Sequence, residues 1–198
     1  TDGTTEFSEE FAQKYGNMMD ITTDSEVPPN PGKPAKLNLG IKHIKNDIVI
    51  FYDCGDILMP DTLVHLVNPF QYEKYNAVIG PVSVNNWKTN ALTKGVMVSY
   101  GLTDGGGLLF ETRNRLGCSS FLFGRNVALR TEYLKKYGGF NEQSLTEDLY
   151  LQVLLNLDGI DVLFVPQAKV YDTVPDEIEI LKMQRTRWMA GFTLDAPE

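Results

Sequence analysis

Ile48-Val49-Ile50-Phe51-Tyr52-Asp53-Cys54-Gly55-Asp56 is an unbroken apolar run that ends in an acidic turn. β-branched and aromatic residues without polar alternation predict a buried strand, of the kind found in parallel sheets. Open α/β sheets bind ligands beyond the C-terminal ends of such strands, where Asp53 and Asp56 stand. Carboxylates there suit a divalent cation, Mg²⁺ or Mn²⁺, which takes oxygen ligands and bridges to a diphosphate. Asp53 and Asp56 are therefore the candidate metal ligands. A polar turn after a strand is the plainer alternative for an isolated Asp-x-x-Asp.

Upstream, Pro34 suits the first turn of a helix whose buried face is Leu37, Ile41 and Ile44. Before it, Phe7, Phe11 and Tyr15 predict a short amphipathic helix closed by Gly16. Residues 18–22 read as a strand and residues 23–34 as a proline-rich loop. Downstream, Pro60-Asp61 opens a helix through Leu63, Leu66 and Val67, and Ala77 to Val84 reads as a further strand. Helical segments follow at about 90–101 and 108–115, interrupted by Gly105-Gly106-Gly107. Those glycines lack the Lys-Ser/Thr of a phosphate loop, so a mobile connection is expected. A strand at 119–123, a turn at Gly124-Arg125-Asn126, a helix at 130–136, strands at 162–165 and 168–171 and a helix from Pro175 complete the chain. Helices alternating with apolar strands predict an α/β fold, a mainly parallel sheet flanked by helices. Residues 1–198 read as a single domain.

Composition narrows the function. At 198 residues the chain can bury a sizeable core, and 42% hydrophobic with 22% charged residues is ordinary for a globular protein. A net charge of −8 argues against nucleic acid, which needs a basic face. Cys54 and Cys118 form no disulfide framework. No apolar run approaches the ~20 residues that span a bilayer. The start, Thr1-Asp2-Gly3, has neither Met nor a signal peptide, so an excised piece of a larger parent is expected.

Leu145-Thr146-Glu147-Asp148-Leu149 places Thr146 as a helix N-cap, with Glu147 and Asp148 in the first turn, where the helix dipole favours negative charge. Leu149, Val153, Leu154 and Leu157 are the expected apolar stripe. Gln184, Arg187 and Trp188 cluster on the last helix. Taken singly, the first stretch is an ordinary helix start and the second a helix surface.

In this order the two resemble the Thr-Glu-Asp and Gln-x-x-Arg-Trp motifs of membrane-type family 2 glycosyltransferases, the group of cellulose, chitin and hyaluronan synthases. Gly32-Lys33-Pro34-Ala35-Lys36-Leu37-Asn38 is similar to the family's Gly-Lys-x-x-x-Leu-Asn segment, and Asp53 with Pro60-Asp61 to its Asp-x-Asp region. Phe123-Gly124-Arg125-Asn126 and Gly138-Gly139-Phe140 match the approach to Thr146. Gly55 stands where the second Asp of Asp-x-Asp is usual, and Asp172 where many non-processive relatives carry His. Thr1-Asp2-Gly3-Thr4 looks like the tail of the family's Asp-Gly-Ser-x-Asp-Gly-Thr segment, so an N-terminally truncated catalytic domain without its first strands is expected.

The resemblance implies a GT-A, nucleotide-sugar-binding fold. It implies inverting transfer from a UDP-sugar to a saccharide acceptor, with Asp148 as general base. Lys33, Asp53 and Arg187 would serve the donor diphosphate. Glu147, Gln184 and Trp188 would serve the acceptor, and Asp53 and Asp56 a Mg²⁺ or Mn²⁺. The parent would sit at the cytoplasmic face of a membrane, and a homo-oligomer is allowed. A non-processive transferase to a lipid or protein, an inactive sugar- or nucleotide-binding module, and a fragment docking on a complete synthase remain open.

Overall fold

In the computed structural model, which describes residues 3–15 and 32–194, the run at 48–51 forms β1 (Ile48–Phe51). The expected Gly16 cap, the strand at 18–22 and nearly all of the proline-rich loop lie outside the described residues. β1 pairs with β5 (Val127–Arg130), which pairs with β3 (Ala77–Ile79), which pairs with β6 (Val162–Phe164). β5 runs antiparallel to both of its neighbours, whereas β3 and β6 are parallel. The α/β expectation holds, but the sheet is mixed rather than mainly parallel. The cause is β5: Val127 pairs with Phe51, so β5 starts beside the C-terminal end of β1 and runs back along it. Val127, Ala128 and Leu129 are all buried, and this short apolar stretch is a strand that the sequence reading missed.

A second sheet contains β2 (Ile57–Leu58), β7 (Val170–Asp172) and β4 (Val82–Val84). The strand expected from Ala77 to Val84 is therefore two strands in two sheets, broken at Gly80-Pro81. A Cβ on Gly80 would stand 1.9 Å from the Ala168 carbonyl oxygen, so only glycine lets the chain cross there. Asn126, buried and in the left-handed region at φ 52°, pins the junction. Its Nδ2 donates to Ala168 O at 2.8 Å and Pro81 O at 3.2 Å, and its backbone carbonyl accepts the Gly80 N–H at 3.1 Å.

Helices cover these sheets. α1 (Thr4–Tyr15) is present, but Phe7, Phe11 and Tyr15 are exposed and stack on one another. α2 (Lys33–Ile41) packs Leu37 and Ile41 on the main core, and α3 (Thr62–Val67) buries Leu66. α4 (Ala91–Ser99) opens with a capping box between Asn90 and Thr93, passes into a π-helical turn at Tyr100–Asp104, and leads to α5 (Leu108–Arg115). The glycine run between them is packed, not a mobile connection, since a Cβ on Gly105 would meet Val82 O at 2.3 Å. Residues 119–123 are extended without being a strand and bond to β6 through Ser120 N–H and Val162 O at 2.9 Å. α6 (Thr131–Lys136) follows β5 directly.

α7 (Glu147–Leu157) begins where Thr146 predicts, but its buried face is turned. Glu147, Leu151 and Leu155, four residues apart, face inward, while Leu157 is 76% exposed. With leucines on several sides of this helix, the sequence pattern alone does not single out the inner stripe. α8 (Ile178–Leu194) continues well past Trp188. A Cβ on Gly191 would lie 2.3 Å from Thr146 Cγ2 and 2.5 Å from its Oγ1, so α8 crosses in direct contact with the start of α7.

Candidate active site

The loop after β1, the turn before β5, the end of β7, the first turn of α7 and one side of α8 enclose a cavity of about 930 Å³. It lies at the C-terminal end of β1, as an open α/β sheet predicts. Lys33, Asp53, Glu147, Asp148, Gln184, Arg187 and Trp188 all line it, and among the expected site residues Asp56 does not.

The charged centre forms around Gly124. A Cβ there would sit 3.0 Å from Lys33 Nζ, 3.3 Å from Glu147 Oε1 and 3.4 Å from Asp148 Oδ2. Lys33 Nζ donates to Asp53 Oδ1 at 2.7 Å and to Gly124 O at 2.8 Å, and it lies 3.7 Å from Glu147 Oε1. The Glu147 carboxylate, expected at the acceptor, thus faces the same lysine as Asp53. Asp148 Oδ1 accepts the Leu149 N–H at 2.9 Å, and its other oxygen faces the Gly124 side.

Burial pushes the Asp148 carboxyl above the ordinary aspartate value of 3.8, against the Leu149 N–H and the Lys33 charge. Burial, with the Asp148 charge added, also raises Glu147. Both shifts follow from desolvation of the ionised form. A carboxylate of raised pKa at the mouth of a cavity is a stronger base than one in water.

Asp56 has a different place. Its side chain is wholly buried and accepts the Asp53 N–H at 3.0 Å and Arg125 Nη1 at 3.1 Å. It shapes the turn instead of facing the cavity. Arg125 also donates to Asp172 Oδ2 at 2.5 Å and lies 3.8 Å from Asp53 Oδ2. Burial pulls the pKa of this guanidinium down, but the hydrogen bond and charge of Asp172 outweigh it and the net shift is upward.

On the far wall, Arg187 Nη1 donates to Leu145 O at 3.3 Å, and Trp188 is half-buried beneath the Arg185 guanidinium, 4.4 Å from the ring centroid. Arg185 is itself tied to Asp104 at 2.9 Å. Leu109, Phe121, Leu145 and Phe192 make the remaining wall apolar and partly exposed. Arg125, Arg185, Asp104 and Asp172 join the site only through the fold, because each comes from a separate stretch of sequence. Asp172 had a signal as the residue standing in place of a family His, and Arg125 lay in the family-like Phe123–Asn126 stretch without a role being read for it.

Five carboxylates line the cavity against four cationic side chains, an excess that would repel a diphosphate. A divalent cation would reverse that balance. Among the described residues no three His, Cys, Asp or Glu side chains form a ready-made metal centre. The donor set nevertheless fits Mg²⁺ or Mn²⁺, which commonly take one or two carboxylates and complete their shell with phosphate oxygens and water. Asp53, half-exposed on the cavity wall, is the carboxylate able to do this. Among the described residues no helix is long and apolar enough to cross a membrane.

Comparison with known proteins agrees with this geometry. The model of the family described as glycosyltransferase like family 2 matches residues 1–191. A β-monoglucosyldiacylglycerol synthase of Nostoc sp. is 31% identical over 194 residues, covering 96% of this chain and 40% of its own. A poly-β-1,6-N-acetyl-D-glucosamine synthase of Staphylococcus epidermidis is 27% identical, with 96% and 45% covered. The chain thus spans less than half the length of these curated relatives. Among solved structures, a mannosyltransferase of Pyrobaculum calidifontis in complex with GDP-mannose and Mn²⁺ superposes with a TM-score of 0.71 at 19% identity, covering 98% of this chain and 50% of the other. The glucosyl-3-phosphoglycerate synthase of Mycobacterium tuberculosis with Mn²⁺ and UDP-glucose gives 0.61 at 20%, covering 100% and 66%. Motifs, cavity and both comparisons converge, and the chain belongs to the family 2 glycosyltransferases, with their GT-A fold.

Proposed function

We propose that this glycosyltransferase transfers a sugar with inversion from a UDP-sugar to a saccharide hydroxyl, with Asp148 as the base. The acceptor oxygen attacks the anomeric carbon and forms the new C–O bond as the bond to the diphosphate breaks. The leaving electron pair goes to the phosphate oxygen, and the acceptor proton passes to the Asp148 carboxylate. Direct displacement through an oxocarbenium-like transition state inverts the anomeric centre, by analogy with glycoside hydrolysis.

Lys33 and Arg187 provide fixed positive charge on the cavity wall for the diphosphate. Asp53 would hold Mg²⁺ or Mn²⁺, which would add the charge that neutralises the leaving group. Trp188 offers a ring face to the acceptor sugar and Gln184 a hydrogen-bonding amide. The observation that carries this reading is the convergence of Lys33, Asp53, Glu147 and Asp148 on the cavity wall, with Lys33 Nζ hydrogen-bonded to Gly124 O at 2.8 Å and to Asp53 Oδ1 at 2.7 Å. A substrate in the cavity meets a cation and a base of raised pKa on the same wall.

The test is Asp148→Asn in the full chain, assayed by UDP release with a panel of donors. Transfer should fall by about 10²–10⁴-fold, the usual share of a general base. UDP affinity should stay near wild type. Wild-type turnover after this change would remove Asp148 from its role.

A second reading, a single transfer to a lipid, is favoured by the apolar wall of Leu109, Phe121, Leu145 and Phe192. The Nostoc relative is named for a glycolipid. Product analysis with a diacylglycerol and with an oligosaccharide acceptor separates the two.

A further inference from the structure

Arg125 pairs with three carboxylates, and the transfer mechanism does not explain why. Its guanidinium is only 15% exposed and gathers carboxylates from three points. Asp56 lies at 3.1 Å and Asp53 at 3.8 Å, both from the loop after β1, and Asp172 at 2.5 Å from the end of β7 in the other sheet. Among the described residues these aspartates form no metal centre of their own, since Asp56 and Asp172 meet different nitrogens of the guanidinium. Here an arginine, protonated at any physiological pH, already stands among them. Asp56 is committed wholly to the interior, and Asp172 to Arg125. Asp53 is the carboxylate left partly exposed, at 39%.

We propose that Arg125 is a built-in counter-cation of the donor site. Its charge, 3.8 Å from Asp53, opposes a divalent metal at that carboxylate, and it supplies fixed positive charge there for a nucleoside diphosphate. The proposal rests on the donor-site reading above and sets how far that site depends on metal. It makes the metal's share smaller, because part of the charge comes from the chain. Arg125 acts by positioning Asp53 and Asp172 and by its field.

The two roles give effects of opposite sign, which a merely structural residue would not. In the full chain, Mn²⁺ binding without nucleotide is followed by electron paramagnetic resonance, and UDP binding by calorimetry in EDTA and in saturating Mn²⁺. Arg125→Gln removes the positive charge 3.8 Å from Asp53, so Mn²⁺ alone should bind about tenfold tighter or more. The same change should weaken UDP binding in EDTA about tenfold or more, and by less than that when Mn²⁺ saturates. Arg125→Lys keeps the charge but loses the planar fork, so it should shift both quantities in the same directions by less. That variant decides the matter if Arg125→Gln does not fold. Mn²⁺ and UDP affinity falling together, or neither moving, would overturn the role of Arg125. Should wild-type protein bind no UDP under any condition, the functional reading fails instead, and the nucleotide-free Mn²⁺ measurement still judges Arg125.

Discussion

Gly191→Ala tests the contact between α8 and the start of α7. The added Cβ would stand 2.3 Å from Thr146 Cγ2, where ordinary contact begins at 3.4 Å. Relief requires about 1.1 Å of movement. Thr146 has a short side chain and is buried, so little of this is absorbed by rotation. The helices must separate. Overpacking of this kind costs about 1–3 kcal/mol. Alanine in place of glycine within a helix returns roughly 1 kcal/mol. The net destabilisation is therefore only about 0–2 kcal/mol, a melting-temperature loss of up to about 8 °C for a chain of this size.

Activity should suffer far more. α8 carries Gln184, Arg187 and Trp188 into the cavity, and Thr146 precedes the turn that holds Asp148. A displacement of about 1 Å at reacting groups costs on the order of 10²-fold in rate. The assay is UDP release beside a thermal melt. Gly40→Ala is the control: it lies in α2 with nothing within 4 Å of its Cβ, and should stabilise by about 0.5–1 kcal/mol without affecting transfer. Full turnover in Gly191→Ala with an unchanged melt would refute the close crossing of α8.

The raised pKa of Asp148 has a stability consequence. The folded state holds that proton more tightly than the unfolded chain, so the contribution favours folding at low pH and is lost as pH rises through the folded value. At pH 7 the buried charge opposes folding, and Asp148→Asn should melt higher than wild type, the gain shrinking as pH falls toward the carboxylate range. An equal difference at all pH values would contradict this. Trp188→Ala should cost about 1–2 kcal/mol, below the cost for a fully buried aromatic, because the ring is only half-buried and stacks with Arg185. Acceptor KM should rise while UDP binding is kept. Loss of all ligand binding with a large fall in melting temperature would mean that Trp188 holds the fold and touches no sugar.

Local signals in the sequence reached much of the fold. The apolar run at 48–51, the helix start at Thr146 and the helical segment at about 90–101 depend on near neighbours in the chain, and each element lies where it was expected. β5 escaped because three apolar residues followed by Arg130 read equally well as an approach to the next helix. Its burial between β1 and β3 is a matter of topology. The mixed character of the sheet was lost with it. The motif residues of the site other than Asp56 gather around one cavity, whereas Arg125 was legible only as part of a turn in a family-like stretch, with no role attached. Its meaning depends on Asp56 and Asp172, which lie 69 and 47 positions away.

The junction at Gly80 and Asn126 has a mechanical consequence. The backbone crosses between the two sheets with no room for a methyl group, and a buried amide ties both sides. Asp53 and Asp172, though borne by different sheets, therefore ride on one stiff body, and the charged floor of the cavity keeps its shape under load. On the opposite wall α8 is fastened at two places, to α7 by the Gly191 crossing and the Arg187 link to Leu145, and to the π-helical turn by Arg185 and Asp104. Floor and wall thus face one another across the cavity at a set distance, as the jaws of a fixed gauge.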